Sequence, residues 1–238
     1  VTAAHWLAAN VVIGVGSVLQ GSIGFGLALL AAPLLALIDG SLAPGPLLVC
    51  NVALTALMAR REWRAVRYRD LGWSLGGRVI GIVVVVAIMR DLSVRGLDLL
   101  FGGIVLVAVA VTALGPSFRL NPSTLLGAGV ASGIMGTATA IGGPPMALVY
   151  QREEGPQFRG TLSAYFTIGA ILSAVGLAWG GRFGRPEISA GLLLCPGVVV
   201  GYLASHRFIG LVDRTGVRPA VLLVSALSAM ILIGRHFV

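Results

Sequence analysis

The sequence predicts an all-α, polytopic membrane protein made of two homologous repeats that are inverted relative to each other. Three observations lead there. Apolar residues make up 57% of the 238 and charged residues 11%. Mean hydropathy is +0.95, and a soluble chain of this length cannot cover its surface with so few charges. Apolar segments of bilayer-spanning length recur from one end to the other. The glycine, proline and threonine pattern of the first half returns, in order, in the second.

In chain order, the first apolar stretch covers 5–38, with "QGSIGFG" (20–26) in its middle. The second covers 44–59. "RREWRAVRYRD" (60–70) follows, a cytoplasmic topology determinant with Trp63 and Tyr68 as interface anchors. Further segments cover 71–89 and 96–114, then a short loop at 115–122. The fifth stretch, 123–150, contains "GTATAIGGPPMALVYQ" (136–151), uncharged but broken by threonines, paired glycines and paired prolines. After the loop at 151–160 come segments at 161–180, 188–206 and 219–236. We expect no cleavable signal peptide, because the first run lacks a basic flank and exceeds signal-peptide length. Nothing is left over for a soluble domain.

The repeat shows when the halves are shifted. At 112 residues, Gly21, Gly24 and Pro33 fall on Gly133, Gly136 and Pro145, and Thr55 falls on Thr167. At 120, Gly77 and Gly81 fall on Gly197 and Gly201; at 123, "VR" at 94–95 falls on "VR" at 217–218. Offsets that grow in order are what loop insertions produce. Residues 1–115 and 116–238 are therefore the two expected repeats. Such repeats are the usual build of secondary transporters.

As one straight helix, 5–38 would be about 51 Å long, against a hydrocarbon core of about 30 Å. Either it tilts steeply or the chain turns back at the glycines as a hairpin. Arginine, which supplies all 17 basic residues, separates the two. With Arg78 set aside, single crossings place nine arginines on one side and seven on the other. Hairpins place the loops at 60–70, 115–121, 151–160 and 207–218 together, with eleven arginines against five. The positive-inside rule favours hairpins, with both termini outside the cytoplasm. Five segments per half then give repeats of opposite orientation.

Irregular backbone at membrane depth persists where it is buried in protein or lines a polar cavity. Two related breaks point to a shared central site, with restarting helices aiming N–H groups and positive dipole ends at it. Such a site suits an anion. The competing reading is that small residues only permit close helix packing. Gly21, Ser22, Gly24, Phe25 and Gly26 of the first motif are candidate substrate-binding residues. So are Gly136, Thr137, Ala138, Thr139, Gly142, Gly143 and Pro144 of the second. We expect 136–145 to be a non-helical tip meeting 21–26, with backbone donors assisted by Ser22, Thr137 and Thr139.

"GSIGFGLALLAAPLL" and "GIMGTATAIGGPPMAL" resemble the paired signature of the TauE/SafE sulfite exporter family, also called the toluene sulfonate uptake permease family. The resemblance covers the whole chain. It implies a multi-pass carrier of the bacterial inner membrane for sulfite, organosulfonates or related small anions, surrounded by lipid, with no cofactor and with a homodimer left open. Leu27, Ala28 and Leu29 stand where the family signature is often richer in glycine.

Other polar residues carry two readings each. Arg78 lies about seven residues, or roughly 10 Å, into its segment. It either pairs with an anionic substrate or with Asp98, or snorkels to the interface. Asn51 and Ser163 are equivalent in the repeats and either line the site or join helices. His206 is a candidate proton-coupling group or a structural interfacial histidine. Asp98, the other coupling candidate, reads more readily as a helix cap. Cys50 and Cys195 read as small buried apolar residues.

The formal charge of +8 does not imply nucleic acid, because the arginines sit in loops, where they set topology and meet lipid headgroups. An intramembrane enzyme needs a nucleophile and base, or clustered metal ligands; the histidines are scattered at 5, 206 and 236. A passive anion channel would use the same helix ends and arginine, and stays as the alternative to a carrier.

Overall fold

A computed structural model describes residues 2–115, 118–153 and 155–215, and residues 226, 227, 230, 231 and 234. Among them are nine α-helices: α1 (Ala3–Ile23), α2 (Leu27–Ile38), α3 (Gly45–Arg61), α4 (Tyr68–Arg90), α5 (Val94–Leu114), α6 (Pro122–Thr139), α7 (Gly143–Tyr150), α8 (Gly155–Trp179) and α9 (Arg185–Thr215). Six of these regions are long and apolar enough to cross a membrane: α1, α3, α4, α5, α8 and the first part of α9. The expected segment at 219–236 and the "VR" match at 217–218 lie largely outside the described residues.

Local chemistry sets the boundaries. The Thr2 side chain caps α1 at the His5 amide, and Ser93 caps α5 at the Gly96 amide. Asn121 and Thr124 form a reciprocal capping box at α6, with Pro122 in its first turn. The 115–121 loop therefore has a fixed exit. Trp63 and Tyr68 stay more than half exposed, as interface anchors do.

Both long stretches are broken, at 24–26 and at 140–142. The breaks are alike. Gly24 and Ala140 end their helices in the left-handed region, at φ 109° and 63°, and Gly26 and Gly142 open the next helices. Both helices run further than expected. Gly21, Ser22, Gly136, Thr137, Ala138 and Thr139 are helical, and only three residues break each stretch. Thr139 shows why: its hydroxyl donates to the Met135 carbonyl at 2.7 Å and accepts the Ile141 amide at 3.1 Å, supporting the last turn. Pro144 and Pro145 take the first turn of α7, where a missing N–H is tolerated. Equivalent break residues are 116 apart, whereas the glycine pattern matched at 112. α2 has 12 residues and α7 has 8, a difference of one helical turn.

After the first break the chain runs back beside α1. A Cβ on Gly16 would lie 3.1 Å from the Leu27 carbonyl oxygen, and the Gln20 side chain accepts the Leu27 amide at 3.0 Å. Just past α2, the Ser41 hydroxyl and amide donate to Asp39 and hold its carboxyl below its usual range.

Helix pairs close on glycine. Within lipid, helix association rests on van der Waals fit rather than on a hydrophobic drive. α4 meets α6 where Gly77 and Gly81 abut the carbonyls of Leu126 and Val130. α1 meets α9 where Gly197 and Gly201 abut those of Asn10 and Gly14. α3 and α8 meet through a hydrogen bond between Thr55 and Thr167, 2.9 Å. Thr55 also donates to the Asn51 carbonyl one turn back, and the single Thr167 proton is shared between Thr55 Oγ1 and the Ser163 carbonyl. The buried Cys50 thiol of α3 donates to the Gly191 carbonyl of α9 at 3.6 Å.

The polar loops sort to two ends. Arg67 pairs with Glu153 at 2.9 Å and Arg159 with Glu62 at 3.0 Å, which joins 60–70 to 151–160. Leu120 packs in the same cluster as Leu71 and Tyr150, bringing 118–121 to that end. At the other end Arg182 donates to the Met89 carbonyl, and Glu187 lies against Gly45. The expected loop at 207–218 is instead helical over 207–215, as the end of α9; 216–218 lie outside the described residues.

Candidate functional site between two helix breaks

The two breaks face each other across a small chamber of about 20 Å³, room for about one water molecule. Phe25 and Gly26 line it from the first break, and Ala140, Ile141, Gly142, Gly143 and Pro144 from the second. α3 contributes Asn51 and α4 contributes Arg78. Gln20 of α1, 3% exposed, completes the polar lining. Its amide nitrogen donates to Asn51 Oδ1 at 3.1 Å. One side chain thus holds the first amide of α2 and aims Asn51.

Arg78 is 2% exposed in mid-α4 and does not reach for the interface. Its Nη1 donates to Ser132 Oγ at 3.0 Å and its Nη2 to Ser173 Oγ at 3.2 Å. The guanidinium carbon lies 5.2 Å from the centre of the Tyr165 ring, a cation–π distance. Gly136, Gly142 and Gly169 surround it, and a Cβ on Gly136 or Gly142 would come within 2.8 or 3.0 Å of a guanidinium nitrogen. Nε has no partner. No carboxylate stands within ion-pair distance of Arg78 among the described residues, so pairing with Asp98 is not observed. A buried charge without a counter-charge is costly. Here it is held by neutral hydroxyls that leave its positive field unspent.

The remaining candidates stand further out. Thr137 donates to Ser173 Oγ at 2.9 Å and so supports Arg78 from behind. Gly21 packs on Ser205, Gly24 on Phe158, and Ser22 donates to the Val18 carbonyl. Ala138 is buried in the apolar core. Ser163 donates to the Arg159 carbonyl, one turn back in α8. His206 is exposed, edge-on to Tyr202 with ring centres 4.9 Å apart, and bonded through Nδ1 to the Tyr202 carbonyl. Asp98 lies half-buried on α5. Neither lines the chamber. The expected wealth of backbone donors also shrinks at the second break, since Pro144 and Pro145 remove two of the amides at the start of α7.

Sequence reading missed Gln20, Ile141, Ser132, Tyr165 and Ser173. Gln20 opens the quoted motif, and Ile141 sits at the centre of the other. Either signal was available. The two serines carry none, because their use depends on which face α6 and α8 turn toward Arg78.

No His, Cys, Asp or Glu cluster suited to a metal ion occurs among the described residues. No curated protein matches the chain, and no solved structure does. The sequence profile of the sulfite exporter TauE/SafE family matches residues 9–232. The multi-pass helices, the broken pair of stretches and this match agree: the chain belongs to the sulfite exporter TauE/SafE family, multi-pass membrane transport proteins of the bacterial inner membrane rather than enzymes.

Proposed function

We propose that the protein is a secondary carrier that moves a small anion, sulfite, an organosulfonate or a related species, by alternating access between two inverted repeats, 1–115 and 116–238. The observation that carries this reading is Arg78: a buried guanidinium with no carboxylate partner among the described residues, beside a chamber between two helix breaks. An oxyanion entering the membrane centre loses water, and each lost hydrogen bond needs a replacement. Arg78 supplies charge. Asn51 and the amides of Ala28 and Gly143, which line the chamber near the starts of α2 and α7, supply neutral donors, which bind without holding the anion so tightly that release stalls. Thr137, Ser132 and Ser173 hold Arg78 in place.

The repeat reading draws support from the like breaks, from the threonine pair at equivalent positions, and from glycine contacts made by equivalent helices α4 and α9. In this reading each broken stretch is a hairpin, and the end carrying 60–70, 115–121 and 151–160 is cytoplasmic. A chamber of about 20 Å³ favours a carrier over an open channel, because a sulfur oxyanion cannot pass it without movement of its walls.

Two measurements test this. In proteoliposomes, Arg78→Gln should reduce sulfite or sulfonate flux at least tenfold, and Arg78→Lys should impair it too, because an ammonium cannot keep the two-serine fork. Unchanged flux in Arg78→Gln at normal expression would remove Arg78 from the mechanism. Single cysteines at Trp63, Phe118 and Gln157 should all label from the cytoplasmic face. Opposite accessibility for Phe118 and Gln157 would defeat the inverted plan.

A further inference from the structure

A second cavity, of about 310 Å³, opens beside the chamber. Gln151, Glu153 and Arg159 stand at its polar mouth, and Phe25, Gly26, Leu29 and Pro144 form its inner end. Those same four residues also line the chamber. The two spaces are therefore back to back, and Phe25 is the largest side chain between them.

The Phe25 ring is held on two sides. It meets Phe158 edge to face, with ring centres 6.4 Å apart and planes at 63°. It also packs against Gly143, where a Cβ would lie 3.0 Å from the ring. Gly24 leaves room for the Phe158 edge in the same way, at 3.0 Å. The two backbone positions flanking Phe25 have φ of 109° and 131°, so the ring stands between glycines that accept conformations closed to other residues. Ile141 holds the matching place in the other break. It follows Ala140, precedes Gly142, lines the chamber and is 1% exposed.

We propose that the middle residue of each break is a door to the central chamber, with Phe25 closing it toward the vestibule at the 151–159 end and Ile141 closing it toward the opposite end. Phe158 is the stop against which the Phe25 door rests. Swinging the Phe25 ring into the vestibule joins the two spaces, while Ile141 stays packed and the far side stays sealed. The inference rests on the carrier reading above, since a chamber that never holds substrate needs no doors.

The test uses the full chain with Cys50→Ala and Cys195→Ala, and a reporter Ala28→Cys on the chamber wall. The probe is the impermeant anionic reagent 2-sulfonatoethyl methanethiosulfonate, applied to right-side-out and inverted membrane vesicles. Phe25→Ala should speed labelling at least tenfold from the face that also labels Gln157→Cys, and leave the other face unchanged. Ile141→Ala should do the reverse. Phe158→Leu keeps bulk but loses the edge contact, and should speed labelling about threefold from the Phe25 side even if Phe25→Ala folds poorly. Unaltered labelling in well-folded Phe25→Ala or Phe158→Leu, or equal acceleration from both faces, overturns the doors. Normal flux in Arg78→Gln with the labelling pattern intact would instead remove Arg78 from the anion site and leave the doors standing.

Discussion

Ala140 occupies a backbone region that non-glycine residues rarely adopt, at φ 63°, while its counterpart Gly24 sits at 109°. A side chain in such a region costs roughly 1–3 kcal/mol, and glycine's greater freedom in the unfolded chain offsets about 0.5–1 kcal/mol of any gain from removing it. Ala140→Gly should therefore be neutral or raise the melting temperature in detergent. Gly24→Ala meets both the backbone strain and the Phe158 ring 3.0 Å away, and should lower it clearly. A melting temperature that falls more for Ala140→Gly than for Gly24→Ala would show that neither break is set by backbone conformation. Arg78 shows the same economy of partners at the site itself. Three hydroxyls and an aromatic face position it without neutralising it.

At the scale of elements, the breaks were legible because glycine and paired proline have few other uses inside an apolar run. Their edges were less so. Threonine donates to a carbonyl one turn back, and that lets α6 run to Thr139 rather than stop near Gly136. The glycine spacing and the break spacing differ by four residues for a related reason. One helical turn restores nearly the same face, so Gly21 and Gly24 match Gly133 and Gly136 at 112, whereas the 116 that separates the two breaks aligns, of the motif glycines, only Gly26 with Gly142. The partners of Arg78 were not legible, because Ser132 and Ser173 look like any serine in an apolar helix until α6 and α8 are packed. A break that shapes a site differs from a glycine that only saves space. Gly142→Val would press on Ser132 Oγ and Arg78 Nη1, 2.9 and 3.0 Å from the new Cβ, whereas a Cβ at Gly103 on α5 meets nothing within 4 Å. Flux should be abolished by Gly142→Val and kept by Gly103→Val. Equal loss in both would mean that general helix packing, not the chamber, limits transport.

For the whole molecule, the hydrogen bond between Thr55 and Thr167 places α3 against α8 at points that the proposed repeats make equivalent. If the halves are related by a two-fold axis, that axis passes between these residues, and a rocking motion moves them least. Residues further along the same helices move more. Glu62 and Arg159, bonded at 3.0 Å beside the vestibule mouth, come from opposite halves and must separate if that end widens. Paired cysteines at Thr55 and Thr167 should therefore cross-link on oxidation while flux stays above about half of its reduced value. Paired cysteines at Glu62 and Arg159 should also cross-link, but flux should fall at least tenfold and return with reductant. The reduced forms control for lost side chains, since both pairs are measured against themselves. Strong inhibition by the threonine-site link, with none from the link at the mouth, would mean that the halves slide or turn about some other line. The chamber between the breaks would then need a different route to the two faces of the membrane.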